Sequence, residues 1–77
     1  MANMITSYTS DLTGRTFRIE ITPYVSASGD KVYRWAVMNT EKLFFDQGYA
    51  RTIHIGIGTA IGMADLYEHD TNPTEVI

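Results

Sequence analysis

The stretch TFRIEIT, at residues 16–22, decides the fold, because its apolar and polar residues strictly alternate. Phe17, Ile19 and Ile21 fall on one side of an extended chain, and the polar residues between them fall on the other. This period of two is typical of a β-strand with one buried face. Pro23 limits further pairing, so the strand is predicted either to end there or to continue only as an edge.

Two more strand-like segments follow along the chain. Residues 31–39, KVYRWAVMN, carry apolar groups on both faces, which indicates the central strand of a sheet. Residues 42–49, KLFFDQGY, form a third strand in which Gly48 indicates a β-bulge. The connecting sequences, SASGD at 26–30 and NTE at 39–41, are turns by composition. The three strands are therefore predicted to form an antiparallel meander.

A helix is predicted over residues 52–69, with Thr52 as its N-cap. On a helical wheel, one face that would cover the sheet gathers five residues: Ile53, Ile57, Ala60, Ala64 and Tyr67. The beginning of the segment, IHIGIG, also alternates as a strand does, so a helix that begins only near Thr59 is the alternative.

Together these segments predict one α+β domain, with a three- to four-stranded antiparallel sheet packed against a C-terminal helix. The domain spans residues 1–77, a length that supports a single hydrophobic core. Residues 1–15 are predicted to be an N-terminal arm or an edge strand, residues 16–50 the meander, and residues 70–77 a flexible tail.

Composition restricts the chemistry. The chain has no cysteine, which excludes disulfides, thiolate zinc sites and thiol nucleophiles. Its first residues, MANMITSY, do not resemble a signal peptide, and no run approaches the roughly 18 apolar residues that span a bilayer. We therefore expect a cytoplasmic protein that neither enters the secretory route nor crosses a membrane.

Charge is distributed unevenly along the chain. Residues 1–51 hold all six bases and five acids, whereas residues 52–77 hold four acids and no base, which gives the formal net charge of −3. Asp65, Glu68 and Asp70 fall at the C-terminal end of the helix, where the helix dipole disfavours anions. This acidic helix end is predicted to contact a basic surface on a partner, and a merely solvated end is the alternative.

The helix also has a second stripe of small and apolar residues away from the sheet. It consists of Ile55, Thr59, Gly62 and Leu66. Each glycine inside a helix costs about 1 kcal/mol relative to alanine, so some compensating contact is expected. The stripe is predicted to bind a partner protein or a second copy in a homodimer, and packing of the N-terminal arm on it is the alternative.

Cofactor and metal motifs are weak. GIGTAIG at residues 56–62 is similar to a dinucleotide-binding loop, but Ile61 replaces the third glycine and only 15 residues follow Gly62. His54, Asp65 and His69 do not include a convincing third metal ligand within one helical turn. No serine or threonine is paired with a recognisable base. We therefore expect no cofactor, no metal and no catalytic residues.

A different function is indicated by Arg18 and Arg34. With the aromatic residues of the strands, they would form a sheet surface on which single-stranded bases stack. The negative net charge disfavours this nucleic-acid-binding alternative, because phosphate contacts dominate such affinity.

The segment GDKVYRWAVMNTEKLFFDQGY, at residues 29–49, resembles the YegP-like domains of three strands and a helix. The shared features are Trp35 on the second strand, the Asn-x-Glu turn at 39–41, and Gly48-Tyr49 before the helix. The resemblance implies the topology and brings no catalytic residues. In style, the chain is also similar to small acidic proteins of phages, including anti-CRISPR inhibitors. That similarity implies a non-enzymatic inhibitor of a host nucleic-acid-handling defence complex; a small homo-oligomeric structural protein is a further alternative.

Overall fold

The computed structural model describes residues 3–39 and 44–70. They form the strands β1 (Met4–Thr9), β2 (Thr16–Val25), β3 (Lys31–Asn39) and β4 (Phe44–Ala50), followed by the helix α1 (Ile53–Asp70). The strands lie in one antiparallel sheet in the order β1-β2-β3-β4, which confirms the predicted α+β meander. The residues predicted as the tail lie outside the described residues, except for residue 70, which ends the helix.

β2 continues through Pro23 to Val25, and the pairing of the strands explains why proline is tolerated there. β1 accompanies β2 only as far as the pair Met4 and Ile21. Beyond that point β2 pairs with β3 alone, so Pro23, opposite Tyr33, lies where the strand is locally an edge. Because no β1 residue pairs with Pro23, the missing N–H of proline removes no hydrogen bond between β1 and β2.

The hydrophobic core lies between one face of the sheet and α1. The sheet contributes the alternating residues of β2 and β3, and the helix contributes two small residues; the fully or nearly fully buried members are Phe17, Ile19, Ile21, Trp35, Val37, Ala50, Ala60 and Ala64. At one end of the core, the rings of Phe44 and Tyr67 stack with centroids 4.4 Å apart. Asn39 is buried beside them, and its amide donates to the carbonyl oxygen of Thr16 at 2.9 Å.

Gly48 does not form the bulge that the sequence predicted. It pairs directly with Trp35 in a continuous register between β3 and β4. A Cβ atom at this position would lie 2.6 Å from Cζ2 of the Trp35 indole, so the glycine gives the indole room to lie across β4. The prediction was wrong because a packing requirement, not a backbone irregularity, demands glycine here.

α1 begins at Ile53, so the alternative of a start near Thr59 is wrong. Thr52 caps the helix as predicted: the N–H of Ile55 donates to its Oγ1 at 3.1 Å. Gly56 is buried, and a Cβ atom there would come within 3.2 Å of Ile21 Cδ1.

Among the described residues, no helix combines the length and the apolar character needed to cross a membrane.

Candidate binding surfaces

The acidic residues at the C-terminal end of α1 lie in different environments. Glu68 is fully buried, and Nη1 of Arg15 donates to both of its carboxylate oxygens, at 2.7 and 2.8 Å. The Arg15 side chain is itself only 22% exposed. Arg15 thus supplies a positive charge close to the last turns of the helix. The expectation that Glu68 contacts a partner at the surface is therefore corrected: its carboxylate belongs to the interior.

The turn between β1 and β2 positions Arg15. Ser10 is buried, its carbonyl accepts from the N–H of Gly14 at 2.8 Å, and its Oγ accepts from the N–H of Leu12 at 3.1 Å. Gly14 has a φ of 74°, a left-handed conformation that glycine adopts without strain. The chain therefore reverses tightly and brings Arg15 under the end of the helix.

Asp65 remains on the surface and is held by the first strand. The Oη–H of Tyr8 donates to its Oδ1 at 2.6 Å. This hydrogen bond, together with burial and the negative charges of Asp65 and Asp11, raises the pKa of Tyr8 to about 12. The phenol is favoured over the phenolate because only the phenol can donate to the carboxylate.

Around Asp65 lies a hollow of about 460 Å³, which we call the acidic hollow. Its rim includes Asp11, Leu12 and His69, and Leu12 is 43% exposed. Asp11 and Leu12 were missed by sequence reasoning, because a turn far away in the chain carries no local mark of nearness to the helix end. The Asp70 side chain lies outside the described part of the chain.

The second stripe of α1 is exposed. Ile55 and Leu66 are 54% and 52% exposed, and Thr59 and Gly62 are also on the surface. Apart from its own helical backbone and its chain neighbours, no described residue would place an atom within 4 Å of a Cβ atom added at Gly62. Residues 4–9 of the predicted N-terminal arm form β1 of the sheet instead of packing on this stripe.

The sheet face opposite the helix, which we call the outer face, carries the two arginines considered for nucleic acid. Arg18 forms an ion pair with Glu20 at 3.0 Å, and the Arg34 guanidinium donates to the side chain of Gln47. Arg34 is opposite Tyr49 in the register. The ring of Tyr49 lies 5.0 Å from that of Tyr24, and both tyrosines are about half exposed. Arg34 therefore has two exposed aromatic rings as neighbours, whereas Arg18 is already paired with an acid.

Trp35 and Phe44 do not contribute to the outer face. Both pack on the helix side of the sheet.

Among residues 3–39 and 44–70, no group of three or more histidine or acidic side chains is arranged to hold a metal ion.

Comparison with protein-family models, with curated proteins and with solved structures found no match to this chain. The YegP-like resemblance and the similarity to phage inhibitors are neither supported nor contradicted by these comparisons and stay predictions.

Proposed function

We propose that this protein is a non-enzymatic binding protein that recognises a basic protein surface through the acidic hollow. One observation carries the proposal: Asp11 and Asp65 are both exposed and line one hollow together with the exposed Leu12. Two carboxylates around an apolar side chain suit a partner that presents lysine or arginine beside an apolar group.

Among the described residues that line the hollow, Asp11 and Asp65 carry its unbalanced negative charge. Glu68 also borders it, but its charge is balanced by Arg15. Asp65 is fixed by its hydrogen bond with Tyr8, so little side-chain freedom is lost when it binds a cation. A partner would therefore meet a pre-organised anionic surface at the helix end, built from the predicted Asp65 and from Asp11, which the sequence did not indicate.

The narrower hypothesis is that the partner is a host nucleic-acid-handling defence complex, which the protein inhibits in the manner of an anti-CRISPR protein. Such a complex must offer basic side chains to phosphates. An acidic hollow competes for those side chains, and its occupation would exclude the nucleic acid.

The test is recovery of partners by tagged protein from a nuclease-treated bacterial lysate that contains CRISPR-type complexes. The variant D11N with D65N removes both charges and keeps an acceptor for Tyr8. The matched control is D30N, which changes one exposed acid in the distant turn between β2 and β3. We expect the double variant to lose a complex that the wild type and D30N both recover, and the yield to fall as salt rises. Equal recovery by all three proteins would contradict the proposal.

A second candidate is a nucleic-acid-binding module that uses the outer face, and the cluster of Tyr24, Arg34 and Tyr49 favours it. Stacking of a base on an aromatic ring is worth about 1–3 kcal/mol. A salt-sensitive mobility shift of single-stranded oligonucleotides, weakened by R34Q and Y49A but not by R51Q at an exposed site outside this cluster, would support it. Absence of a shift at low salt would exclude it.

A further inference from the structure

In the sheet formed by residues 3–39 and 44–50, β1 and β4 are the two edges, and each pairs with one described strand only. An edge strand presents unpaired N–H and C=O groups that can pair with another chain. Natural proteins commonly protect such edges with charged residues, proline or bulges. The two edges of this sheet differ in this respect.

The β4 edge is protected. Oδ1 of Asp46 accepts from the backbone N–H of Gln47 at 2.8 Å. That donor is therefore already occupied, and an approaching strand would meet a carboxylate. Asp46 thus discourages pairing along β4.

The β1 edge lacks these devices. Its sequence, MITSYT, contains no charged residue and no proline, and its register with β2 is continuous over six pairs. Every side chain except that of Tyr8 is exposed. The strand is also fixed in place, because Tyr8 donates to Asp65 and the hydroxyls of Thr9 and Thr16 are hydrogen-bonded at 3.0 Å.

The register shows which backbone groups of β1 point outward. The N–H of Ser10 donates to the carbonyl of Arg15 at 2.9 Å, one step beyond the last pair of the ladder, Thr9 and Thr16. In an antiparallel ladder, hydrogen-bonded pairs alternate with pairs that are not hydrogen-bonded. The even-numbered residues of β1 therefore bond to β2. The odd-numbered residues, Ile5, Ser7 and Thr9, turn their N–H and C=O groups outward.

We propose that β1 pairs antiparallel with β1 of a second copy, with Ser7 opposite Ser7 of the partner subunit. The three outward residues are spaced symmetrically about Ser7, so Ile5 meets Thr9 of the partner subunit and every outward group of these residues finds a partner. No charge in Met4–Thr9 opposes this self-pairing, whereas like charges opposite each other destabilise a ladder. The product is a dimer with an eight-stranded sheet and both helices on one face.

A second copy fits this edge better than a charged foreign strand, because the edge offers no charge to select one. The dimer is independent of the function proposed for the acidic hollow, since Ser7 does not line that hollow.

The test is analytical ultracentrifugation of the full chain at rising concentration. Ser7→Pro removes an N–H that β2 does not use, and Ser7→Lys places two like charges opposite each other. The matched control is Ala27→Pro in the turn between β2 and β3, where Gly29 donates to the carbonyl of Ser26 and proline suits the second position. We expect the wild type and Ala27→Pro to dimerise, and the dissociation constants of both Ser7 variants to rise by about tenfold or more.

Amide hydrogen exchange identifies the interface. In the dimer, the amides of Ile5, Ser7 and Thr9 should be protected along with those of Thr6 and Tyr8; in Ser7→Lys only the even-numbered amides should stay protected. A wild-type chain that is monomeric at millimolar concentration overturns the proposal. A dimer in which the odd-numbered amides exchange freely also overturns it, as does protection that appears only when a foreign strand is added.

Discussion

Arg15 and Glu68 form a buried ion pair across 53 positions of the chain, with one guanidinium nitrogen donating to both carboxylate oxygens. The pair joins the turn after β1 to the last part of α1. Desolvating two charges is costly, so the pair is not by itself a large source of stability. Its effect is instead to fix where the turn between β1 and β2 meets the helix, because neither charge is well placed without the other.

Arg15→Met should destabilise the fold more than an exposed ion pair would allow. The variant removes the guanidinium that donates to both oxygens of the fully buried Glu68 carboxylate, and breaking a buried ion pair in this way costs about 3–5 kcal/mol. Urea unfolding measures the difference. The double variant R15M with E68M should lose less than the sum of the two single variants. A loss below about 1 kcal/mol for R15M would mean that the pair behaves as an exposed one.

Tyr8 should make the protein less stable in alkaline solution. Its pKa in the folded state is about 12 against an ordinary value of 10.0, so the folded state keeps a proton that the unfolded chain releases. The contribution of Tyr8 to the free energy of unfolding is therefore fully present below pH 10 and is lost as the pH rises towards 12. The free energy of unfolding of the wild type should fall more steeply over this range than that of Tyr8→Phe. Parallel slopes would contradict the hydrogen bond with Asp65.

Gly48→Ala should disturb the packing of Trp35. The added methyl group would lie 2.6 to 2.9 Å from three atoms of the indole, which is itself nearly buried. Overpacking of this kind costs about 1–3 kcal/mol. Trp35 is the only tryptophan of the chain, so its fluorescence reports the displacement directly. An unchanged spectrum with unchanged stability would show that the indole does not lie across Gly48.

Gly58→Ala and Gly62→Ala should stabilise the protein. Beyond the local helix backbone, no atom of the described residues would lie within 4 Å of the added Cβ at either site, so the gain in helix propensity, about 1 kcal/mol each, meets no clash among them. Gly56→Ala is the matched control, since its Cβ would crowd Ile21 at 3.2 Å and should gain less. Thermal unfolding distinguishes the three variants. Equal effects at all three positions would contradict the packing described for Gly56.

Stabilising variants also test the second stripe of the helix. If the stripe binds a partner, a methyl group at Gly62 should weaken that binding while it raises stability, since exposed glycines that cost stability are retained where function needs them. Partner recovery by Gly62→Ala, measured beside its unfolding temperature, gives both results.

Much of the fold is predictable because it rests on local pattern. The alternation of Phe17, Ile19 and Ile21 and the cap at Thr52 need no knowledge of distant residues. β1 is less predictable, because MITSYT pairs with β2 but carries little alternation of its own. Gly48 was misinterpreted because its requirement comes from a side chain on another strand.

The candidate site was predictable only in part. Charge distribution drew attention to Asp65, which is exposed, but it grouped the buried Glu68 with the surface acids. A sign of its burial was present in the sequence: Glu68 follows the buried Ala64 by four positions, which places it beside the sheet-facing stripe. The partner Arg15 and the neighbour Asp11 come from a turn, and no periodic pattern links a turn to a distant helix end.

The contacts of Arg15 with Glu68 and of Tyr8 with Asp65 have a consequence during synthesis of the chain. β1 and its turn leave the ribosome early, whereas the residues that anchor them are made only after β4. The emerging segment therefore carries an unanchored Tyr8 and an unpaired Arg15 until the helix is complete. Because non-local contacts must wait for the whole loop between them, docking of α1 is the step that we expect to end this vulnerable interval.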